Sequence, residues 1–389
     1  MNLKTLADIK DLKGKRVFVR VDFNVPLDDK GNVKDDKRIK FAIPTLKYLL
    51  DNGASQLILA SHVGRPKNNE PEFKTDKQAA KLAELIGVPV AKVDHWGEKD
   101  LPKAQIVMLE NVRFNTAEKS KDEAERDAFG KQMASLADIY VNEAFSNSHR
   151  KHASMTSIPK YIPGYAGFGV EKEVNAIGKA ISDPDHPLVA IIGGLKADKL
   201  PAVEYLLTVA DQVLVAGALA FNLLKTRGYH VGASKVDDEG MTEMDDVVKQ
   251  VNASSKILLP DDAVVADAFA ETANVKVVSI DNIEDGWMAL DIGPKTRTKY
   301  IEAIKKAKTI LWFGPIGVFE MAPFSEGTKA IGEAIAGAKA VSIVGGGDSA
   351  SAVKKLGLAD KMTLVSTGGG ASLEMIEGKK LPGLAILEN

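Results

Sequence analysis

The chain has 389 residues, 45% of them apolar and 27% charged, an ordinary globular composition that excludes disordered and fibrous classes. Its formal charge of -2 gives no bulk field for nucleic acid or an anionic bilayer, so any anion site must be a local gathering of cations. With no cysteine, disulfides, thiol nucleophiles and thiolate metal centres are excluded.

The length exceeds what one hydrophobic core usually supports, so two domains are expected. Met1 to Arg20 is interrupted by Lys, Asp and Arg and has no apolar leader pattern, and no uncharged run reaches bilayer-spanning length. A cytoplasmic protein with no membrane and no nucleic-acid partner is the expectation. No exposed apolar helix stands out, so a monomer is expected.

In chain order, Val17 to Val21, Leu57 to Ser61, Ile106 to Leu109 and Ile139 to Asn142 read as buried strands. Between them lie helical patterns at Arg38 to Asn52, closed by Gly53, and Asp76 to Ile86, closed by Gly87. The segment from Ile158 to Gly169 is rich in Pro and Gly and marks a boundary. Val170 to Ile181 then reads as a helix, a plausible hinge. Strand patterns resume at Leu188 to Ile192, Gln212 to Ala216, Lys256 to Leu259, Lys276 to Ile280, Thr309 to Phe313, Val341 to Val344 and Met362 to Val365. Strands and helices alternating at this spacing predict parallel sheets covered on both faces. The acidic stretch Asp237 to Asp246 reads as a solvated face.

Cations recur where the first-half strands end, the position at which open α/β sheets hold ligands. Arg20 to Pro26 carries Asp22 and Asn24, Ser61 to Pro66 carries His62 and Arg65, Leu109 to Phe114 carries Arg113, and Asn142 to His152 carries His149 and Arg150. Such a cup suits a small polyanion bearing phosphate and carboxylate: arginine forks hold either group, and histidine adds a donor whose charge can rise when an anion binds. Asp22 and Asn24 would read hydroxyl groups, or else close a turn before Pro26.

In the second half, glycine turns dominate. Gly193-Gly194 precedes Lys196 and Lys199 where a strand gives way to a helix, and a lysine there can neutralise phosphate oxygens. Gly217 after Val213 to Ala216 could admit a flat base or serve a small-residue helix contact. Two apolar runs lead into glycine triplets, Gly345-Gly346-Gly347 followed by Asp348-Ser349, and Gly368-Gly369-Gly370. Without side chains, such a turn lets backbone N–H groups and a helix start approach phosphate directly. No acidic residue ends the next strand, which argues against a dinucleotide fingerprint, and there is no P-loop element. Asp348 is better read as a magnesium-side carboxylate.

The ordered motifs Arg20-Val-Asp-Phe-Asn-Val-Pro26, Ser61-His-Val-Gly-Arg-Pro66, Leu109-Glu-Asn-Val-Arg-Phe114, His149-Arg-Lys-His-Ala-Ser154, Leu290-Asp-Ile-Gly-Pro294, Gly314-Pro-Ile-Gly-Val-Phe-Glu320, Gly345-Gly-Gly-Asp-Ser349 and Ser366 to Glu374 resemble those of phosphoglycerate kinases, along essentially the whole chain. The resemblance implies an α/β protein of two Rossmann-like domains whose parallel sheets are flanked by helices, joined by a hinge helix. It implies a phosphoglycerate-binding domain over 1–169 with a C-terminal tail of about 378–389, a hinge over 170–182 and a nucleotide-binding domain over 183–377. The implied reaction is reversible phosphoryl transfer between 1,3-bisphosphoglycerate and MgADP, giving 3-phosphoglycerate and MgATP. It would proceed in line after domain closure.

Carried over by position, Asp22, Phe23, Asn24, Arg38, His62, Val63, Gly64, Arg65, Arg113 and Arg150 would form the substrate site. Lys196, Lys199, Gly217, Ala289, Glu320, Gly345, Gly346, Gly347, Asp348 and Ser349 would form the nucleotide site, with Asp348 on Mg²⁺ and Glu320 on the ribose. Arg38, Lys199, Lys196 and the helix start at Gly347 would stabilise the transferring group. A carboxylate nucleophile needs no general base.

Departures from the family pattern are specific. The two lysines, usually four apart, are three apart here, so either fits the transfer position, and the retained Asp198-Lys199 pair favours Lys199. Glu143 stands for the usual Asp, Phe313 for Asn, Ala289 for Gly, and Ala216-Gly-Ala218-Leu-Ala220 for Gly-Gly-Gly-Met-Ala. These changes leave open an altered nucleotide site with reduced or regulatory function.

Overall fold

The computed structural model describes residues 2–97 and 101–389. They divide into two compact units, residues 1–175 with 380–389, and residues 176–379.

The first unit is built on β1 (Arg16–Val21), β2 (Gln56–Ala60), β3 (Val90–Lys92), β4 (Ile106–Met108), β5 (Ile139–Glu143) and β6 (Gly164–Ala166). They form one sheet in the order β3-β4-β2-β1-β5-β6, and every pairing is parallel. The central strands are continuous runs of β-branched and apolar residues because both faces are covered. Helices α1 (Lys37–Asp51), α2 (Asp76–Ile86) and α3 (Glu123–Ala134) accompany the sheet. Val19, Phe23, Ile39, Leu46, Leu59 and Met108 sit in its core.

The Pro- and Gly-rich stretch expected to be only a boundary contains β6, and the unit boundary falls inside the next helix, α4 (Phe168–Ser182). A three-residue edge strand offers too little periodicity to stand out from its turns. The last residues of the chain belong to the first unit: Leu387 O accepts from Lys4 N at 2.9 Å, and Gly383 N donates to Ser148 O at 2.8 Å.

The second unit contains β7 (Leu188–Ile192), β8 (Gln212–Val215), β9 (Ile257–Leu258), β10 (Asp262–Ala266), β11 (Val275–Ser279), β12 (Met288–Ile292), β13 (Thr309–Phe313), β14 (Val341–Gly345) and β15 (Leu364–Val365). Six of them form a parallel sheet in the order β15-β14-β13-β7-β8-β9. Its helices are α5 (Leu200–Val209), α6 (Gly217–Thr226), α7 (Asp238–Glu243), α8 (Asp245–Ala253), α9 (Pro294–Lys306), α10 (Glu326–Gly337), α11 (Gly347–Lys355) and α12 (Gly370–Ile376).

The expectation of parallel sheets throughout is corrected in one place. β10, β11 and β12 form a separate antiparallel sheet ordered β11-β10-β12. In β11, exposed Val275, Val277 and Ser279 alternate with partly buried Lys276 and Val278. That two-residue alternation is what an antiparallel strand with one wet face requires.

Candidate active site

In the first unit, the candidate side chains follow the carboxyl ends of β1, β2, β4 and β5. Parallel pairing sends all four strands the same way, so residues scattered from 22 to 150 reach one edge of the sheet. Asp22, just past β1, accepts from Arg38 Nη1 of α1 at 2.6 Å and from Ser146 Oγ at 2.5 Å. Asn24 Oδ1 accepts from Gly64 N at 2.9 Å, and the Gly64 carbonyl accepts from Arg113 Nη1 at 2.6 Å. Asn111 ties this loop down by donating to the carbonyls of Val63 and Phe73 at 2.8 and 2.9 Å. Arg65 and Arg150 are exposed.

The electrostatics are those of crowded, partly buried cations. Arg113 is lowered to about 10, first by burial and then by the charges of Arg20 and Arg150. It remains cationic at neutral pH, in repulsion with its neighbours. His62 is pushed well below its ordinary value by burial and by Arg20, Arg113, His152 and Arg38. Burial and Arg150 bring His149 to about 4, and burial with Arg113 brings His152 to about 3. Without an anion in the cup, desolvation and the surrounding guanidiniums favour the neutral imidazoles.

Two expected contacts are core residues. Phe23 is fully buried in the hydrophobic cluster, leaving only its backbone for a ligand, and its N–H is occupied by Ser61 Oγ at 2.9 Å. Val63 is 4% exposed. Arg20, which sequence reading placed in the first strand-end motif without a role, is fully buried inside β1. An arginine set between Val19 and Val21, in a stretch apolar from Val17 onward, was the available signal.

In the second unit, the loop after β7 carries the lysine pair. Lys199 is partly buried, while Lys196 is exposed. Desolvation lowers Lys199, with Asp198 and Asp348 opposing. Asp237 Oδ2 accepts from Ala197 N at 3.0 Å, so one member of the supposedly solvated acidic stretch braces this loop. Gly217 opens α6 at φ 61°. A Cβ there would come within 2.7 Å of Gly194 N and 3.0 Å of Pro315 O, so the close approach of these backbones requires glycine.

These loops open onto a cleft of about 710 Å³. Phe221, Phe269, Met288, Ala289 and Val318 give it an apolar side, while Lys196, Lys199 and Asp348 supply charge. Gly346 turns with φ 88° into α11, whose first turn carries exposed Asp348. Ser349 is buried, and its Oγ accepts from Gly314 N at 2.6 Å, joining two loops rather than meeting a ligand. Gly345 packs on Phe313, whose Cε1 would lie 2.0 Å from a Cβ there. Glu320 is exposed.

Among the described residues, no cluster of three or more His, Cys, Asp or Glu could hold a metal alone. A single carboxylate beside a glycine turn fits magnesium that is held mainly by nucleotide phosphates.

A parallel α/β unit bearing arginines at its strand ends, together with one bearing a glycine turn, a lysine and a carboxylate, defines a phosphoryl-transfer protein with two ligand-binding units. The family model for phosphoglycerate kinase matches residues 6–379. A phosphoglycerate kinase of Herpetosiphon aurantiacus is 46% identical over the full length of both chains. Solved phosphoglycerate kinase structures from Coxiella burnetii and Pyrococcus horikoshii superpose with TM-scores of 0.87 and 0.83, at 37% and 32% identity, each covering 99% of this chain and 98% of the other. The chain belongs to the phosphoglycerate kinase family.

Proposed function

We propose that the cation cluster of the first unit holds 3-phosphoglycerate or 1,3-bisphosphoglycerate, and that the cleft of the second holds ADP or ATP with Mg²⁺. As a family member, the protein is a phosphotransferase with a carboxyl acceptor, interconverting 1,3-bisphosphoglycerate plus MgADP with 3-phosphoglycerate plus MgATP. The observation that carries the residue assignment is Arg113, lowered to about 10 by burial and then by its cationic neighbours. Glu118 and Asp22 offset part of that repulsion, and a bound polyanion would relieve it further.

Within this reading, Arg38, Arg65, Arg113 and Arg150 bind phosphate and carboxylate oxygens, while Asp22 and Asn24 address the hydroxyl group. Lys199 neutralises the transferring phosphate, assisted by Lys196 and the α11 N-terminus at Gly347. Glu320 takes the ribose, and the backbone of Gly345 to Ser349 takes phosphates. Asp348 would hold the magnesium, which supplies charge neutralisation across the nucleotide phosphates. The substrate carboxylate is ionised at neutral pH, so this chain need only align two repelling anions and stabilise charge.

A domain assignment of 1–169 with the tail, a hinge over 170–182 and 183–377 belongs to the same reading, as do in-line transfer on closure, a monomeric state and a cytoplasmic location. Supporting the last, no described helix is long and apolar enough to cross a membrane. Scattering with both substrates should show a smaller radius of gyration, and size exclusion should give a mass near 41.7 kDa. A coupled assay with 3-phosphoglycerate and a panel of other acceptors tests the substrate: equal turnover of an acceptor lacking phosphate would overturn the assignment.

A further inference from the structure

Behind the cation cluster lies a buried chain of polar groups that the substrate assignment leaves unused. Arg20 of β1 donates from Nε to Ser154 Oγ at 2.8 Å, from Nη1 to the Val21 carbonyl at 2.5 Å, and reaches His62 Nδ1 from Nη2 at 3.3 Å. Ser154 in turn donates twice to Glu118, from N to Oε2 at 2.9 Å and from Oγ to Oε1 at 2.6 Å. Glu118, Ser154 and Arg20 are all fully buried. Ser154 lies in a single π-helical turn, Ala153–Ser157, a local distortion that sequence propensity does not produce unaided. Tyr140 OH fixes that turn by donating to the Ser154 carbonyl at 2.9 Å.

The donor inventory decides the protonation of this chain. A guanidinium only donates, so His62 Nδ1 facing Arg20 must accept, and the single ring proton of the neutral imidazole sits on Nε2. Ser154 Oγ accepts from Arg20, so its own hydrogen goes to Glu118, whose two oxygens therefore both accept. His62 Nε2 has no hydrogen-bond partner among the described residues, leaving its N–H for a ligand oxygen.

Resting on the substrate assignment above, we propose that Glu118 is a positioning residue: through Ser154 and Arg20 it holds His62 as the Nε2–H tautomer, so that the histidine meets the phosphoglycerate as a neutral, pre-aimed donor. Burial raises Glu118, while the Arg20 charge and the two Ser154 hydrogen bonds favour its ionised form; as a carboxylate it compensates Arg20, which would otherwise be an uncompensated cation in the core. Electroneutrality behind the site leaves the four outer arginines to face the substrate. His152 Nδ1 lies 3.7 Å from Glu118 Oε1. Burial and the neighbouring arginines hold His152 at about 3, so the cations that Glu118 faces are Arg20 first and then Arg113.

The test is ¹⁵N–¹H correlation of the histidine rings in the full-length protein at pH 7, His62 being assigned by its loss in His62→Gln. The wild type should show Nδ1 bare and Nε2 protonated. Ser154→Ala, which keeps Glu118 in place, should spread His62 over both tautomers and raise KM for 3-phosphoglycerate about tenfold, with kcat and KM for ATP within about twofold, the size of a weakened charge-assisted contact. Glu118→Gln should do the same. A wild-type His62 protonated on Nδ1 would overturn the proposal. So would a folded Ser154→Ala with lower Tm but wild-type tautomer and KM, the signature of a purely structural role. Calorimetry of the wild type with 3-phosphoglycerate separates the two readings: absent binding heat would sink the substrate assignment while the tautomer pattern stood.

Discussion

Lys199 Nζ donates to the Gly193 carbonyl oxygen at 2.7 Å, whereas Lys196, three residues earlier, is exposed and has no hydrogen-bond or ion-pair partner among the described residues. The shortened loop therefore presents the two lysines differently. Lys199 is partly desolvated and shares its field with Asp348, so its charge acts through a lower effective dielectric. Lys199→Ala is expected to lower kcat by about 10² to 10³, and Lys196→Ala by about tenfold or less. A coupled assay at saturating substrates checks this, and the reverse ranking would reassign the transfer role.

Arg38 meets Asp22 at 2.6 Å, and Ser146 caps the same carboxylate oxygen. A planar fork can keep that contact and still address a ligand, whereas an ammonium on a flexible stem cannot do both in fixed geometry. Arg38→Lys should cost about 10² in kcat/KM for 3-phosphoglycerate and leave KM for ATP within about twofold. Steady-state kinetics with each substrate varied in turn will show it.

Glu143 at the end of β5 is fully buried, and desolvation raises it to about 8, with the N–H groups of Gly169 and Val170 and the Thr45 side chain opposing. Its pKa rises on folding from an ordinary value of 4.5, so between those two values the native state binds more protons than the unfolded one. Stability contributed by the protonated form is complete below the lower value and is lost as pH rises through the upper. Glu143→Gln should flatten the decline in Tm between pH 5 and 8 and stabilise the protein at pH 8 by on the order of 2 kcal/mol. Calorimetric melts across that range test the sign, and an unchanged pH profile would refute it.

The same side chain leaves no room at the start of α4. A Cβ on Gly167 would lie 1.7 Å from Glu143 Oε2, and one on Gly169 would lie 2.3 Å from Oε1. Gly167→Ala should destabilise by about 1–3 kcal/mol through overpacking. In a Glu143→Asp background, where the acid is one methylene shorter, the penalty should shrink by about 1 kcal/mol. Denaturant titrations of the four proteins of this cycle measure the coupling.

Sequence alone determined the strands of both parallel sheets except the three-residue edge strands β3 and β6, the glycine turns and the strand-end positions of Asp22, His62, Arg113 and Asp348, because periodicity and backbone freedom are local properties that each segment carries with it. Helix α2 coincides with its predicted span, and β7 and β13 do likewise. Tertiary structure alone decided that Phe23 is core, that Ser349 braces Gly314, that Lys199 rather than Lys196 is the desolvated lysine, and that burial beside guanidiniums lowers His62, His149 and His152. It also decided that β10 to β12 pair antiparallel and that Arg20 is compensated by Glu118, 98 positions along the chain. Burial and charge pairing depend on which distant segments share a space, and that follows from packing rather than from the residues nearby in sequence.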